Sequence, residues 1–86
     1  MEIVYSSKFA REYKKLSKHL KDLAERQEAI FRIDPFDRRL RSHKLHGKFN
    51  EFLSFSVDYR YRIVFEFSRD KKIAYFYSVG DHDVYQ

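Results

Sequence analysis

The stretch Tyr59-Arg60-Tyr61-Arg62-Ile63-Val64-Phe65-Glu66-Phe67-Ser68 decides the fold. Tyr59, Tyr61, Ile63, Phe65 and Phe67 fall on one side of a two-residue period, and Arg60, Arg62, Val64, Glu66 and Ser68 fall on the other. That alternation predicts a strand with one face against a core. Working outward, Leu53, Phe55 and Val57 alternate with Ser54, Ser56 and Asp58 and predict a preceding strand. On the other side, Ser68 to Lys72 reads as a hairpin turn and Ile73 to Val79 as the returning strand, ended by Gly80.

Further upstream the period changes. Phe9, Tyr13, Leu16, Leu20, Leu23, Gln27 and Ile30 follow one another at alternating spacings of four and three residues, which keeps them on one helical face; Gln27 alone breaks its apolar character. The pattern allows one helix over about 7 to 32, or two helices broken near Ser17-Lys18-His19. Ser7 is the expected N-cap, and Asp34-Pro35 ends the helical segment because the residue before proline avoids helical geometry. Ile3-Val4-Tyr5 is a short β-prone run ahead of it. A helical segment followed by hairpin-linked strands predicts an α+β domain spanning 1–86, with the helical segment packed on one face of a mostly antiparallel sheet. The opposite face is left for function.

Composition narrows the chemistry. The 86 residues suffice for one small domain, and nine Phe and seven Tyr supply large buried rings for its core. With no cysteine, disulfides, thiol nucleophiles and thiolate zinc sites are excluded. No apolar run is long enough to serve as a signal peptide or membrane span, so a soluble, cytoplasmic protein without membrane contact is expected. Two glycines cannot build a phosphate-cradling loop, and no serine nucleophile motif is present.

The formal charge is +5, and it is segregated. Residues 8–48 hold thirteen Lys and Arg against six Asp and Glu, a net +7, whereas residues 49–86 carry five against six. An anionic partner, nucleic acid or an acidic protein, is the first expectation. Lysines on helices are commonly just a solvated face. Arg60 and Arg62 differ, because a strand opposite the aromatic stripe can present guanidinium forks to phosphate, although pairing with Asp58 or Glu66 would satisfy them equally. Of the histidines, His19 reads as a surface residue within the helical segment. His43, His46 and His82 lie at the ends of predicted strands, where a side chain titrating near neutrality can serve as acid or base. A metal site from His43, His46 and His82, with Asp81 or Asp83, is disfavoured because the His43–His46 gap points those two to opposite faces of a strand. No metal or cofactor is expected.

The order of these elements resembles a known family. A basic helical segment is followed by His43-Lys44-Leu45-His46-Gly47, then by Asp58-Tyr59-Arg60-Tyr61-Arg62-Ile63-Val64-Phe65, then by Ser78-Val79-Gly80-Asp81-His82-Asp83-Val84-Tyr85. This is similar to the RelE/ParE superfamily of toxin-antitoxin toxins, within its RelE and YafQ branch of mRNA interferases, over nearly the whole chain.

The resemblance implies an α+β fold with an N-terminal helical pair packed on one face of a twisted, mostly antiparallel four-stranded sheet, and a metal-independent endoribonuclease that cuts mRNA on the ribosome by attack of the RNA's own 2′-hydroxyl, held in check by a cognate antitoxin. It matches Arg62 to the arginine that contacts the scissile phosphate, His82 and His43 to YafQ active-site histidines, and Tyr85 to the C-terminal aromatic, at a different spacing. Lys44, His46, Lys48 and Arg60 are the expected RNA-binding residues. The strand lysines of RelE have no counterparts, and the second YafQ histidine and its aspartate fall on Ser56 and Arg60. The alternative is the ParE group, which shares the fold and poisons DNA gyrase without cutting RNA. A monomeric free toxin is expected.

Overall fold

The computed structural model describes residues 1–46 and 51–81. Its order is β1 (Glu2–Tyr5), α1 (Ser7–Lys14), α2 (Lys18–Ile33), a 3-10 turn (Arg38–Leu40), β2 (His43–Lys44), β3 (Leu53–Ser56), β4 (Tyr61–Phe67) and β5 (Ile73–Asp81). The helical segment is therefore two helices. Ser6, not Ser7, caps α1, its hydroxyl accepting from the Phe9 amide at 2.9 Å. Ser17 caps α2 by accepting from the Leu20 amide at 3.2 Å. Each serine supplies one of the acceptors that the first turn of a helix lacks.

The sheet has five strands rather than four, in the order β1-β5-β4-β3-β2. The extra member is the two-residue β2; the β-prone run near the start of the chain forms β1, which runs parallel to β5 with Glu2 opposite Ile73 and Tyr5 opposite Phe76, and every other pair is antiparallel. Two sequence expectations shift at the strand ends. Tyr59 and Arg60 belong to the turn between β3 and β4, where the Asp58 carboxylate accepts the amides of Arg60 at 2.9 Å and Tyr61 at 2.7 Å. The apolar alternation runs on through that turn, but Tyr59 is 80% exposed. Gly80 does not end β5, which continues to Asp81 with Gly80 paired to Arg62.

Both helices cover one face. Phe31 of α2 is fully buried at its centre, its ring 5.0 Å from those of Phe55 and Phe65 and 5.2 Å from that of Phe76. Rings of this size bury some 150–250 Å² each, which is how a short chain assembles enough core. Gln27 faces the same side without breaking the packing, because its side-chain amide donates to the carbonyls of Ser56 at 2.8 Å and Arg39 at 3.2 Å.

Beyond Tyr5, strand β5 has lost its β1 neighbour, and α1 takes over that edge. The Ser6 amide donates to the Phe76 carbonyl and its hydroxyl to that of Tyr77, while one carboxylate oxygen of Glu12 accepts from the Val79 amide at 3.1 Å and the Ser78 hydroxyl at 2.8 Å. The edge is thereby saturated from a helix instead of a strand.

Candidate active site

The face opposite the helices is not wholly open. Leu45 and Val64 are buried there with Phe52 packed against them, and the Phe52 ring stacks on Tyr77 at 5.4 Å. Tyr77 is the extra residue of a bulge: Val64 pairs with Ser78 and Phe65 with Phe76. This small cluster covers the middle of the face. It leaves the end that carries Ser56, Arg62 and Gly80.

Register places those three side by side, Ser56 opposite Arg62 and Arg62 opposite Gly80. The half-buried guanidinium of Arg62 donates from Nη1 to Ser56 Oγ at 3.1 Å. On its other flank Gly80 has no side chain, so nothing from β5 stands over the fork at that position. One hydrogen bond orients the guanidinium, and its remaining donors suit an incoming oxyanion.

His43 pairs with Ser54, and Ser54 with Val64, so His43 shares this face two strands from β4, about 10 Å away at ordinary strand spacing. Its Nδ1 lies 2.9 Å from the Arg41 carbonyl. A carbonyl can only accept, so Nδ1 carries the hydrogen and the exposed Nε2 of the neutral ring holds a lone pair able to take a proton. Lys44 alternates to the other face, paired with Leu53, and does not join Arg62. His46 is exposed just beyond β2.

Arg60 meets Asp81, Nη2 to Oδ2 at 2.8 Å, rather than Asp58 or Glu66, and this pair ties the β3–β4 turn to the end of β5. Sequence reading did not foresee Ser56 as the partner of Arg62 or Asp81 as that of Arg60, since neither spacing announces a pair. His82 and Tyr85, the other two residues matched to catalytic positions, and Lys48 lie outside the described residues. On the helix side a larger cavity, about 370 Å³, is lined by Tyr5, Tyr13, Glu25 and Glu28. Burial and the Glu28 carboxylate hold Tyr5 above the ordinary phenol range, and burial with Glu25 and Glu28 does the same for Tyr13. That cavity is negative, which disfavours a polyanion.

A sheet with a helical pair on one face, joined in this order, has counterparts among solved structures. YafQ from E. coli superposes with a TM-score of 0.78 at 15% identity, covering 96% of this chain and 94% of that one. This is the fold of the RelE-like toxins. The YoeB/ParE toxin from Agrobacterium tumefaciens shares the RelE-like fold at a TM-score of 0.80 and 14% identity over 95% of this chain and 99% of that one. RelE from an archaeal RelE–RelB complex of Pyrococcus horikoshii does so at 0.75 and 13%, over 93% and 92%. No protein-family model and no curated protein sequence matches this member of the RelE-like fold.

Proposed function

We propose that the chain is the toxin of a toxin-antitoxin pair and acts as a metal-independent endoribonuclease on ribosome-bound mRNA in the cytoplasm. The observation that carries this reading is the Arg62 fork, anchored by Ser56 and flanked by the side-chain-free Gly80, on the face away from the helices. The RNA's 2′-hydroxyl attacks the adjacent phosphorus, the bond to the 5′-oxygen breaks, and a 2′,3′-cyclic phosphate remains. Arg62 stabilises the charge that grows on the phosphoryl oxygens, a role worth roughly 10² to 10³ in rate when one such donor is lost. His43 takes the 2′-proton through Nε2 and His82 gives one to the leaving oxygen. Tyr85 stacks on a base. His46 and Lys48 hold flanking phosphates, and Arg60 does so by exchanging Asp81 for the RNA. The basic segment from 8 to 48 suits an acidic antitoxin that folds as it wraps the monomeric toxin.

Inducing the chain in bacteria and mapping transcript 5′ ends, with and without translation, tests the reading. Translation-dependent cuts are expected for the parent and their loss for Arg62→Ala and His82→Ala, with circular dichroism unchanged. Retained cutting by both variants would overturn the assignment of the site. Growth arrest with gyrase capture and no cuts would place the chain with the ParE toxins instead.

A further inference from the structure

A polar cavity of about 250 Å³ lies at the same end of the sheet, lined by Gln27, Arg39, Arg41, Ser56, Asp58 and Tyr59 among others. Ser56 joins it to the Arg62 fork, since its hydroxyl holds Nη1 of that guanidinium while the residue also lines the cavity. Arg41 joins it to His43, since its carbonyl takes the Nδ1 hydrogen bond.

The charges inside divide cleanly. The Asp37 carboxylate grips Arg39 at Nε (3.0 Å) and Nη2 (2.9 Å). That fork, with the Arg39 amide, holds the Asp37 carboxyl at about 2, so it is ionised near neutrality and balances Arg39. Asp58 is occupied by the amides of Arg60 and Tyr61. Arg41 makes no ion pair among the described residues, and its backbone is left-handed with φ 53°. The formal charges of Arg41 and Asp58 offset each other, and Arg41 is the cation left without an ion pair.

Tyr59 supplies the other half of a nucleotide site. Its ring is 80% exposed, and it sits on a turn whose geometry Asp58 fixes through two hydrogen bonds. A ring held outward on a rigid turn loses little freedom when a base stacks on it. A single-stranded nucleic acid brings a phosphate for Arg41 and a planar base for the ring in every repeat unit.

We infer that this cavity is a subsite for a nucleotide flanking the two that share the scissile phosphate, with Tyr59 stacking on its base and Arg41 holding its phosphate. The inference rests on the endoribonuclease reading above and adds the residues that recognise a neighbouring nucleotide.

Fluorescence anisotropy with labelled single-stranded RNA, made uncuttable by a 2′-deoxy sugar at the cleavage site, tests it. The series shortens from both ends to the dinucleotide around that phosphate. Tyr59→Ala is expected to weaken the longer RNA roughly 5- to 100-fold, the range for one stacked base. It should leave the dinucleotide unchanged, and Tyr59→Phe should bind as the parent does. An abasic nucleotide at the neighbouring position should reproduce the Tyr59→Ala loss. Equal effects on long and short RNA, or none, would overturn the subsite. RNA binding lost in Arg62→Ala but intact in Tyr59→Ala sinks the subsite alone, whereas a parent that binds no RNA sinks the parent reading with it. A Tyr59→Ala defect confined to antitoxin binding assigns the cavity to that partner and overturns the proposal.

Discussion

Glu12 is the residue through which α1 holds the site end of β5, and Glu12→Ala measures that hold. The carboxylate accepts from the Val79 amide at 3.1 Å, from the Ser78 hydroxyl at 2.8 Å and from Lys8 Nζ at 2.7 Å. Hydrogen bonds to a charged group contribute about 1.5–3 kcal/mol each when buried, and a partly exposed i,i+4 ion pair well under 1. With the Glu12 side chain 31% exposed, water replaces part of what is lost. The expected cost is therefore about 2–3 kcal/mol, which lowers the melting temperature of a domain this size by roughly 10–20 °C. Glu12→Gln keeps an acceptor for Val79 and should lose about half as much. Acid dependence supplies a second reading of the same contact. Burial alone would raise the Glu12 pKa, but bonds from Lys8, Ser78 and the Val79 amide outweigh it and hold the group below its ordinary value. Its contribution is thus complete above the unfolded carboxyl value of about 4.3 and drains away as pH falls through the lower folded value. The parent should lose stability along that acid limb more steeply than Glu12→Gln. Thermal melts followed by circular dichroism at pH 7 and across the acid range decide it. A Glu12→Ala melt within about 2 °C of the parent would refute the clamp.

Two further outcomes follow from polar groups in the interior. Gln27→Ala removes the amide that serves the Ser56 and Arg39 carbonyls and should cost about 1–3 kcal/mol in urea unfolding. Ser54 is fully buried and its hydroxyl has no hydrogen-bond partner among the described residues, so Ser54→Ala should melt at or above the parent temperature; a clear drop would mean that the hydroxyl has a partner.

Local patterns were legible where their causes are local. The alternation from Tyr61 to Phe67 marked β4, and the four-three spacing marked the helical face, because each reports one repeat along the chain. The same alternation misled at Tyr59, where the amides of Arg60 and Tyr61 donate to the Asp58 carboxylate and turn the backbone although the next residues are apolar in phase. Gly80 carried the mark of a strand end but sits inside β5, since its ladder partner Arg62 comes from another strand. The fifth strand, His43–Lys44, escaped notice because two residues are too few to show a period and its pairing depends on Ser54 and Leu53 of another strand. Phe31, the centre of the core, stood outside the stripe traced through Leu23 and Ile30 because α2 buries a slightly rotated face. At the site, family likeness drew attention to Arg62. Its contacts with Ser56 and Gly80 needed the strand register.

The parallel partnership of β1 with β5 also governs how the molecule answers force. Tension applied at residue 2 and at residue 81 draws the two neighbouring strands in opposite directions along their length, and the four residue pairs from Glu2–Ile73 to Tyr5–Phe76 bear the load together. The ladder must be sheared as a unit instead of unzipped bond by bond. A motor that grips either end meets its steepest resistance at the first step.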